Sequence, residues 1–493
     1  MAYKDLSEFI TLLEKEGELV RIQAAVSRDL EITEITDRVS KGPAAQNKAL
    51  LFENVTGFGM PVLINAFGNE RRMALALGVE KLEDLNHNLA HLIDMKLPQG
   101  LGAAFGRLTE VMGALRAVGL KPSKVRNAPC QEVVHVEDAS LDMLPVLKCW
   151  PNDGGRYITL MQVITRDPQT NQRNVGMYRV QVFDGRTAAM HWQRHKGGAE
   201  HERVARETQQ ATIPAAIVLG GDPAQMWCAS APLPPGIDEY LLAGWLRGRP
   251  VHFVECVSQP LEVPADAEIV IEGYVDPNDQ RPEGPFGDHT GFYTPADTFP
   301  TFHVTAVTHR QNPIYPTTIV GKPPMEDYWM GKATERLFLP LMKLFQGEIV
   351  DVNMPAEGVF HNLIIVSMKK RFPGHPFKVM YGLWGLGLMM LAKAIVVVDH
   401  DVNVHNLSDV AWRVLGNVDW RRDVVVVDGP VDQLDHSAAR DSFGGKIGID
   451  ATAKGPQDGH PRGWPEEIIM SPEIKALVDQ KWPRYGIGRG LGD

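Results

Sequence analysis

Cysteine is scarce in this chain: 493 residues include only Cys130, Cys149, Cys228 and Cys256. None stand in C-x-x-C spacing, and four in so long a chain make no disulfide framework. Each reads as a small buried hydrophobe in a reducing cytoplasm. A Lys/Arg-rich block is also missing, and the formal net charge is −11. That argues against nucleic acid as a partner and leaves small anions to be held by local sets of donors. There is no low-complexity tract, no internal repeat and no G-x-G-x-x-G dinucleotide fingerprint. Met1-Ala2-Tyr3-Lys4-Asp5 lacks the charged and apolar regions of a secretory leader, so a cytoplasmic location is expected. Only Gly382 to Val398 imitates a membrane span. Lys393 interrupts it, and Asp399 and Asp401 close it. It reads as a core helix followed by a buried strand.

What is present is ordinary globular chemistry, with 44 % hydrophobic and 23 % charged residues. The length suits roughly two to four domains. Asp5 with Glu8 resembles a capping box, and Leu6, Phe9, Ile10 and Leu13 share one helical face that Gly17 ends. Segments 19–22, 50–53 and 62–64 read as strands, and 85–118 as largely helical with a break near 98–102. This predicts an α/β unit over 1–129. Between 130 and 310, short alternating segments (158–165, 176–183, 187–192, 215–219, 251–257, 268–275) are divided by turn signals such as Asp184-Gly185 and Asp276-Pro277-Asn278-Asp279. That density predicts a β-barrel or sandwich. From 311 to 493, apolar strands at 363–367, 394–398 and 424–427 alternate with helical segments such as 408–415. This is the pattern of a parallel sheet covered on both faces. The expected class is a multidomain α/β and α+β chain.

Three segments carry candidate chemistry. The first is Asn174-Val175-Gly176-Met177-Tyr178-Arg179 with His191-Trp192-Gln193-Arg194-His195-Lys196-Gly197-Gly198. Gly176 would let a ligand approach the backbone, Arg179 offers a fork for a carboxylate or phosphate, and Lys196-Gly197-Gly198 puts a cation beside flexible N–H groups. A surface strand with a solvated Arg fits the same pattern. The second is Arg281-Pro282-Glu283-Gly284-Pro285-Phe286-Gly287-Asp288-His289-Thr290-Gly291-Phe292, a Gly/Pro-rich loop that can aim two carboxylates into one cleft. With Arg179 near Glu283, the pair can fix a substrate carboxylate while Asp288, its pKa raised by an apolar pocket, moves a proton. A charged surface turn is the competing reading. The third is Asp238-Glu239-Tyr240 at the start of a helix, where Glu239 either ligates a metal or favours the helix N-terminus. Asn174, His195 and Glu239 have no metal-motif spacing. As a set, their mixed O and N donors with one negative charge would suit Mn2+ or Mg2+. Gly444-Gly445-Lys446 lacks phosphate-loop spacing, and His400 reads as a satisfied or solvated residue just beyond a strand.

In this order and with about this spacing, these segments resemble the UbiD family, nearly end to end from Tyr3 to Thr452. The resemblance implies an N-terminal α/β domain, a central split β-barrel related to flavin-reductase folds, and a C-terminal α/β domain. It implies prenylated FMN as cofactor, its phosphate held through Mn2+ by Asn174, His195 and Glu239, with K+ or another monovalent cation nearby. Met177, Tyr178, Arg179, His191, Trp192, Gln193, Lys196 and Gly197 match cofactor-contacting positions, as does Lys393 from the C-terminal part. Arg179, Glu283 and Asp288 match the catalytic Arg–carboxylate–carboxylate set. Losing CO2 from an sp2 carbon leaves an anion that the ring cannot delocalise, so a cofactor must act as electron sink.

The resemblance points to 4-hydroxy-3-polyprenylbenzoate of ubiquinone biosynthesis. However, His191-Trp192-Gln193 departs from the Arg-Trp-Leu expected there, which keeps a menaquinone-pathway naphthoate or another hydroxyaryl acid open. A flavin oxidoreductase on a split barrel is the rival class, and it leaves Glu283 and Asp288 without a task. A non-catalytic scaffold would have no reason to keep Arg179 with both carboxylates and the three candidate metal ligands. The implied partners are a flavin prenyltransferase as cofactor supplier and further copies of the chain in a dimer or hexamer. A polyprenyl substrate would add transient membrane-surface contact.

Overall fold

Asp5 caps the first helix, Leu6–Lys15, by accepting the Glu8 N–H at 3.1 Å. The Glu8 carboxylate reaches back to the Lys4 N–H, one residue before the cap. The four apolar residues expected on one face are all buried. The first sheet runs Leu19–Ile22, Ala49–Phe52, Val62–Ile64 and then Tyr315–Pro316. The chain thus returns to its first sheet after crossing the whole central region, beyond the boundary expected at 310. The computed structural model describes residues 3–96, 122–193, 196–233 and 237–487. The helical reading of 97–118 and the candidate ligand His195 lie outside them; the helix Glu83–Lys96 covers the earlier part.

A nine-stranded sheet forms the centre and curls into an antiparallel half-barrel. Its two longest strands, Ile269–Glu283 and Asp297–His309, pair along most of their length. The turn signal at Asp276–Asp279 lies inside the first of these. The register slips between Asp276 and Gln280 and then resumes, so turn-forming residues build a bulge where a partner strand holds both flanks. The segments expected as single strands at 158–165 and 176–183 are each broken in two, Arg156–Ile158 with Gln162–Arg166 and Arg173–Gly176 with Val180–Val182. The second break carries Met177, Tyr178 and Arg179.

The last sheet runs Ile349–Asn353, Leu363–Met368, Ala394–Asp399, Phe443–Asp450, Val424–Pro430. It is parallel only through its three central strands and antiparallel at both edges. The expectation of a parallel sheet therefore holds for its middle alone. Val424–Val427 forms an edge rather than a buried strand, and Val426 is 71 % exposed. An unbroken valine run reads alike in either place. Gly382 to Val398 resolves into the end of helix His375–Trp384, a 3-10 turn and the strand Ala394–Asp399. No helix among the described residues is long and apolar enough to cross a membrane. Gly444 to Lys446 lie in a strand, and the Lys446 ammonium donates to the Pro430 carbonyl at 2.8 Å. His400 is exposed. All four cysteines are free; three are buried and Cys256 is half-buried.

Helix Glu326–Phe345 ties the three regions together. At its start, the buried Glu326 carboxylate accepts the Phe67 N–H (2.7 Å) from the first domain and the Thr318 hydroxyl (2.7 Å). The Met330 carbonyl accepts the Trp227 indole N–H of the central domain at 3.0 Å. Arg336 donates to Asp351 on the edge of the last sheet at 2.8 Å. Glu326→Leu should cost about 2–4 kcal/mol, because two buried donors lose their acceptor. Glu326→Gln, which keeps an acceptor oxygen, should cost clearly less. Urea unfolding of both variants compares the two.

Candidate active site

The break after Arg173–Gly176 is built by packing. A Cβ on Gly176 would fall 2.2 Å from the Tyr178 ring, so the glycine makes room for Tyr178 folding back and not for a ligand, as expected from sequence. The Tyr178 hydroxyl accepts the Gly198 N–H at 3.0 Å and the Asn174 amide at 3.2 Å. The next residue, Arg179, turns into the half-barrel.

Glu283 ends the long strand Ile269–Glu283, opposite Asp297. Asp288 follows the short strand Phe286–Gly287, whose partner is Tyr293–Thr294. Both carboxylates are buried. Arg179 Nε and Nη2 donate to Glu283 Oε1 and Oε2 at 2.8 and 2.9 Å, and Nη1 donates to Asp288 Oδ2. The guanidinium lies 4.7 Å from the Phe286 ring centroid. Arg179, Glu283 and Asp288 therefore meet, as expected. The bidentate face of Arg179 is filled by Glu283, which leaves a substrate carboxylate only the outer N–H groups.

The surroundings reverse the expected electrostatics. Burial opposes ionisation of Asp288. The His289 hydrogen bond, at 2.9 Å between His289 Nδ1 and Asp288 Oδ1, outweighs it together with the His289 and Arg179 charges. Asp288 is held well below the usual carboxylate range, not above it. Thr294 adds a hydroxyl donor to Oδ2 at 3.0 Å. Burial likewise opposes ionisation of Glu283, but hydrogen bonds from His191 (3.0 Å) and Arg179 bring it down to about 2. Burial and the Arg179 charge keep His191 low, so the neutral ring donates through Nδ1. Its Nε2 is buried without a hydrogen-bond partner among the described residues.

A second group of predicted residues gathers at the start of helix Gly197–Glu207. A Cβ on Gly197 would fall 1.9 Å from Asn174 Oδ1, which places the Asn174 amide against the first turn. Trp192 Nε1 is buried with no hydrogen-bond partner among the described residues. The Lys196 ammonium lies 5.9 Å from the Tyr178 ring centroid. Glu239, in the first turn of helix Glu239–Arg247, accepts the Val175 N–H at 3.0 Å. Burial pushes its carboxyl up to about 8. An orphaned indole N–H, the Gly197 N–H at a helix start and an oxygen donor set fit a phosphate group held with a hard cation. Gln193 is half-buried in the same segment. Lys393 stands apart from these contacts. It donates to Asp435 (2.9 Å) and Ser437 (2.6 Å) within the C-terminal domain.

Sequence reasoning missed Thr294 and the two histidines His289 and His361. His289 directly follows Asp288 in the sequence. His361 carried no local signal and reaches the site only through domain packing.

Three domain descriptions of the 3-octaprenyl-4-hydroxybenzoate carboxy-lyase family match this chain: the N-terminal domain over residues 10–91, the Rift-related domain over 121–323 and the C-terminal domain over 328–451. The chain belongs to the UbiD family, and as such is a carboxy-lyase of the prenylated-FMN class. It is 51 % identical to an uncharacterized protein of Archaeoglobus fulgidus over 98 % of each chain. An uncharacterized protein of Aquifex aeolicus is 52 % identical over 98 % of this chain and 99 % of its own. Among solved structures, vanillic acid decarboxylase of Sedimentibacter hydroxybenzoicus is 29 % identical and superposes with a TM-score of 0.85 in its closed form and 0.80 in its open form. Each covers 98 % of this chain and 99 % of the other. HmfF of Pelotomaculum thermopropionicum, solved with FMN, is 29 % identical with a TM-score of 0.79 over 96 % of this chain and 99 % of its own.

Arg179→Gln should destabilise the protein by about 3–5 kcal/mol at pH 7, because it strands two buried carboxylates. In the wild type, Glu283 contributes stability above its unfolded pKa, and that contribution is lost as pH falls through about 2. The variant lacks the cation that holds the carboxylates ionised. Its deficit should therefore shrink between pH 7 and 5, as chemical denaturation at the two values would show.

Proposed function

We propose that this protein removes CO2 from a hydroxyaryl carboxylic acid, with Arg179, Glu283 and Asp288 as its catalytic residues. The observation that carries this reading is the buried Arg179–Glu283–Asp288 bridge beside the Asn174, Trp192 and Gly197 donors, in a chain matched over three domains by one carboxy-lyase family. Asn174, His195 and Glu239 would hold Mn2+ and through it the cofactor phosphate, with K+ nearby. Met177, Tyr178, Trp192 and Lys196 would line the cofactor. When bound, prenylated FMN supplies the electron sink that an aryl carbon lacks. Arg179 offers its outer N–H groups to the substrate carboxylate, and Glu283 fixes the guanidinium plane. Asp288 moves a proton to the carbon that loses CO2.

The family description supports 4-hydroxy-3-polyprenylbenzoate, the ubiquinone precursor, as first candidate. The vanillic acid named for the Sedimentibacter enzyme supports hydroxyaryl acids more broadly. So does His191, whose contact with Glu283 belongs to the departure from Arg-Trp-Leu. In this reading the half-barrel is a split barrel of the flavin-reductase kind. A flavin prenyltransferase supplies the cofactor, and copies of the chain assemble as a dimer or hexamer.

The test is CO2 release from protein produced together with a flavin prenyltransferase and supplied with Mn2+. The panel is prenylated 4-hydroxybenzoates, naphthoates and simple hydroxybenzoates. One class should release CO2, and Asp288→Asn should lower turnover by about 10²-fold or more while keeping the flavin absorbance. Fully loaded protein that releases CO2 from none of them contradicts the reading.

A further inference from the structure

We propose that His289 is the proton store for Asp288, and that His361, reaching across from the C-terminal domain, sets its charge by accepting its Nε2–H. The proposal rests on the decarboxylase reading above.

Decarboxylation consumes one proton, yet Asp288 is gripped by Arg179 and holds none at rest. The geometry supplies one. His289 bonds Asp288 Oδ1 twice, through its backbone N–H (2.8 Å) and through Nδ1 (2.9 Å). Its other ring nitrogen faces His361, Nε2 to Nε2, at 3.1 Å. Two imidazole nitrogens at hydrogen-bond distance must share one proton. The charges around the pair decide where it sits. Asp288, Asp327 at the start of helix Glu326–Phe345, and Asp432 of the C-terminal domain all act on His289. Burial and the His289 charge hold His361 below the ordinary imidazole range although Asp432 and Asp288 attract its charge, and its Nδ1 is buried with no hydrogen-bond partner among the described residues. Burial opposes the His289 charge too, but the Asp288 hydrogen bond and the carboxylates outweigh it. The pair thus reads as an imidazolium at His289 donating to a neutral His361.

The backbone around His361 is shaped for this contact. Val359 and Phe360 both have left-handed φ, 50° and 45°, a region that a β-branched residue rarely adopts and that persists where its surroundings enforce it. The strained turn sets Phe360 against His289 (5.4 Å between centroids) and against Gly331 of the connecting helix. Phe292, three residues beyond His289, meets His436 of the C-terminal domain at 4.2 Å. The store is therefore complete only where the two domains touch.

The proton balance is simple. The bond from carbon to the departing CO2 breaks. Asp288 takes a proton from His289 Nδ1 and passes it to that carbon. His289 becomes neutral, keeping its Nε2–H on His361, and water replaces the lost proton once product has left. Both histidines are positioning residues acting through Asp288.

The test compares His361→Phe with His361→Gln, whose amide oxygen can still accept from His289. In His361→Phe, kcat should fall about tenfold or more with KM and flavin absorbance little changed. The alkaline limb of its kcat–pH profile should move about one unit lower, and His361→Gln should restore most of both. A second readout needs no cofactor: 15N signals of histidine-labelled protein, assigned with His289→Gln. His289 should titrate above 6.5 in the wild type and lower in His361→Phe. An unchanged His289 titration, or an unchanged alkaline limb, overturns the proposal. Absence of CO2 release from the wild type would instead remove the decarboxylase reading, leaving the histidine pair to be judged by its titration.

Discussion

One cation between two buried carboxylates organises this protein. Arg179 sits in a break between two short strands, Glu283 ends the longest strand of the half-barrel, and Asp288 follows a two-residue ladder beyond it. Three backbone segments must converge for their side chains to meet. Burying three charges is costly unless each finds partners. Here Arg179 fills its fork with Glu283, and His191, His289 and Thr294 satisfy much of the remainder. The arrangement is demanding as a structure and useful as chemistry. It holds the carboxylates ionised in a place that water would otherwise have to solvate.

That electrostatic state changes the picture of the acid. A buried carboxyl alone would keep its proton; one flanked by Arg179 and His289 gives it up. The proton of the reaction is then a property of the Asp288–His289–His361 chain and not of Asp288 by itself. The chain crosses from the central to the C-terminal domain, and helix Glu326–Phe345 holds those domains in register through Met330 and Arg336.

Much of the site was legible because its segments are short and chemically dense. Asn174–Arg179 sets a glycine two residues before a Tyr-Arg pair, and Glu283–Asp288 frames glycine and proline with two carboxylates. The α/β, β, α/β texture followed from periodicity, and the first helix from its cap and its apolar face. What escaped depended on distant partners. Gly176 looked like an approach for a ligand, but the space belongs to Tyr178. Turn residues at Asp276–Asp279 became a bulge because a partner strand continued past them. The direction of the Asp288 shift required knowing that Arg179 and His289 both touch it. His361 lies far along the chain and has meaning only through docking.

The most direct measurement is exchange of 13CO2 into the carboxylate of a turned-over substrate, followed beside net product formation in Asp288→Asn. Carbon–carbon cleavage and re-formation need the loaded site and Arg179, whereas net decarboxylation also needs the proton that Asp288 delivers. The account predicts that exchange persists in this variant while net product formation is lost. Equal loss of both would place Asp288 in the bond-breaking step and contradict the division of labour argued from this geometry.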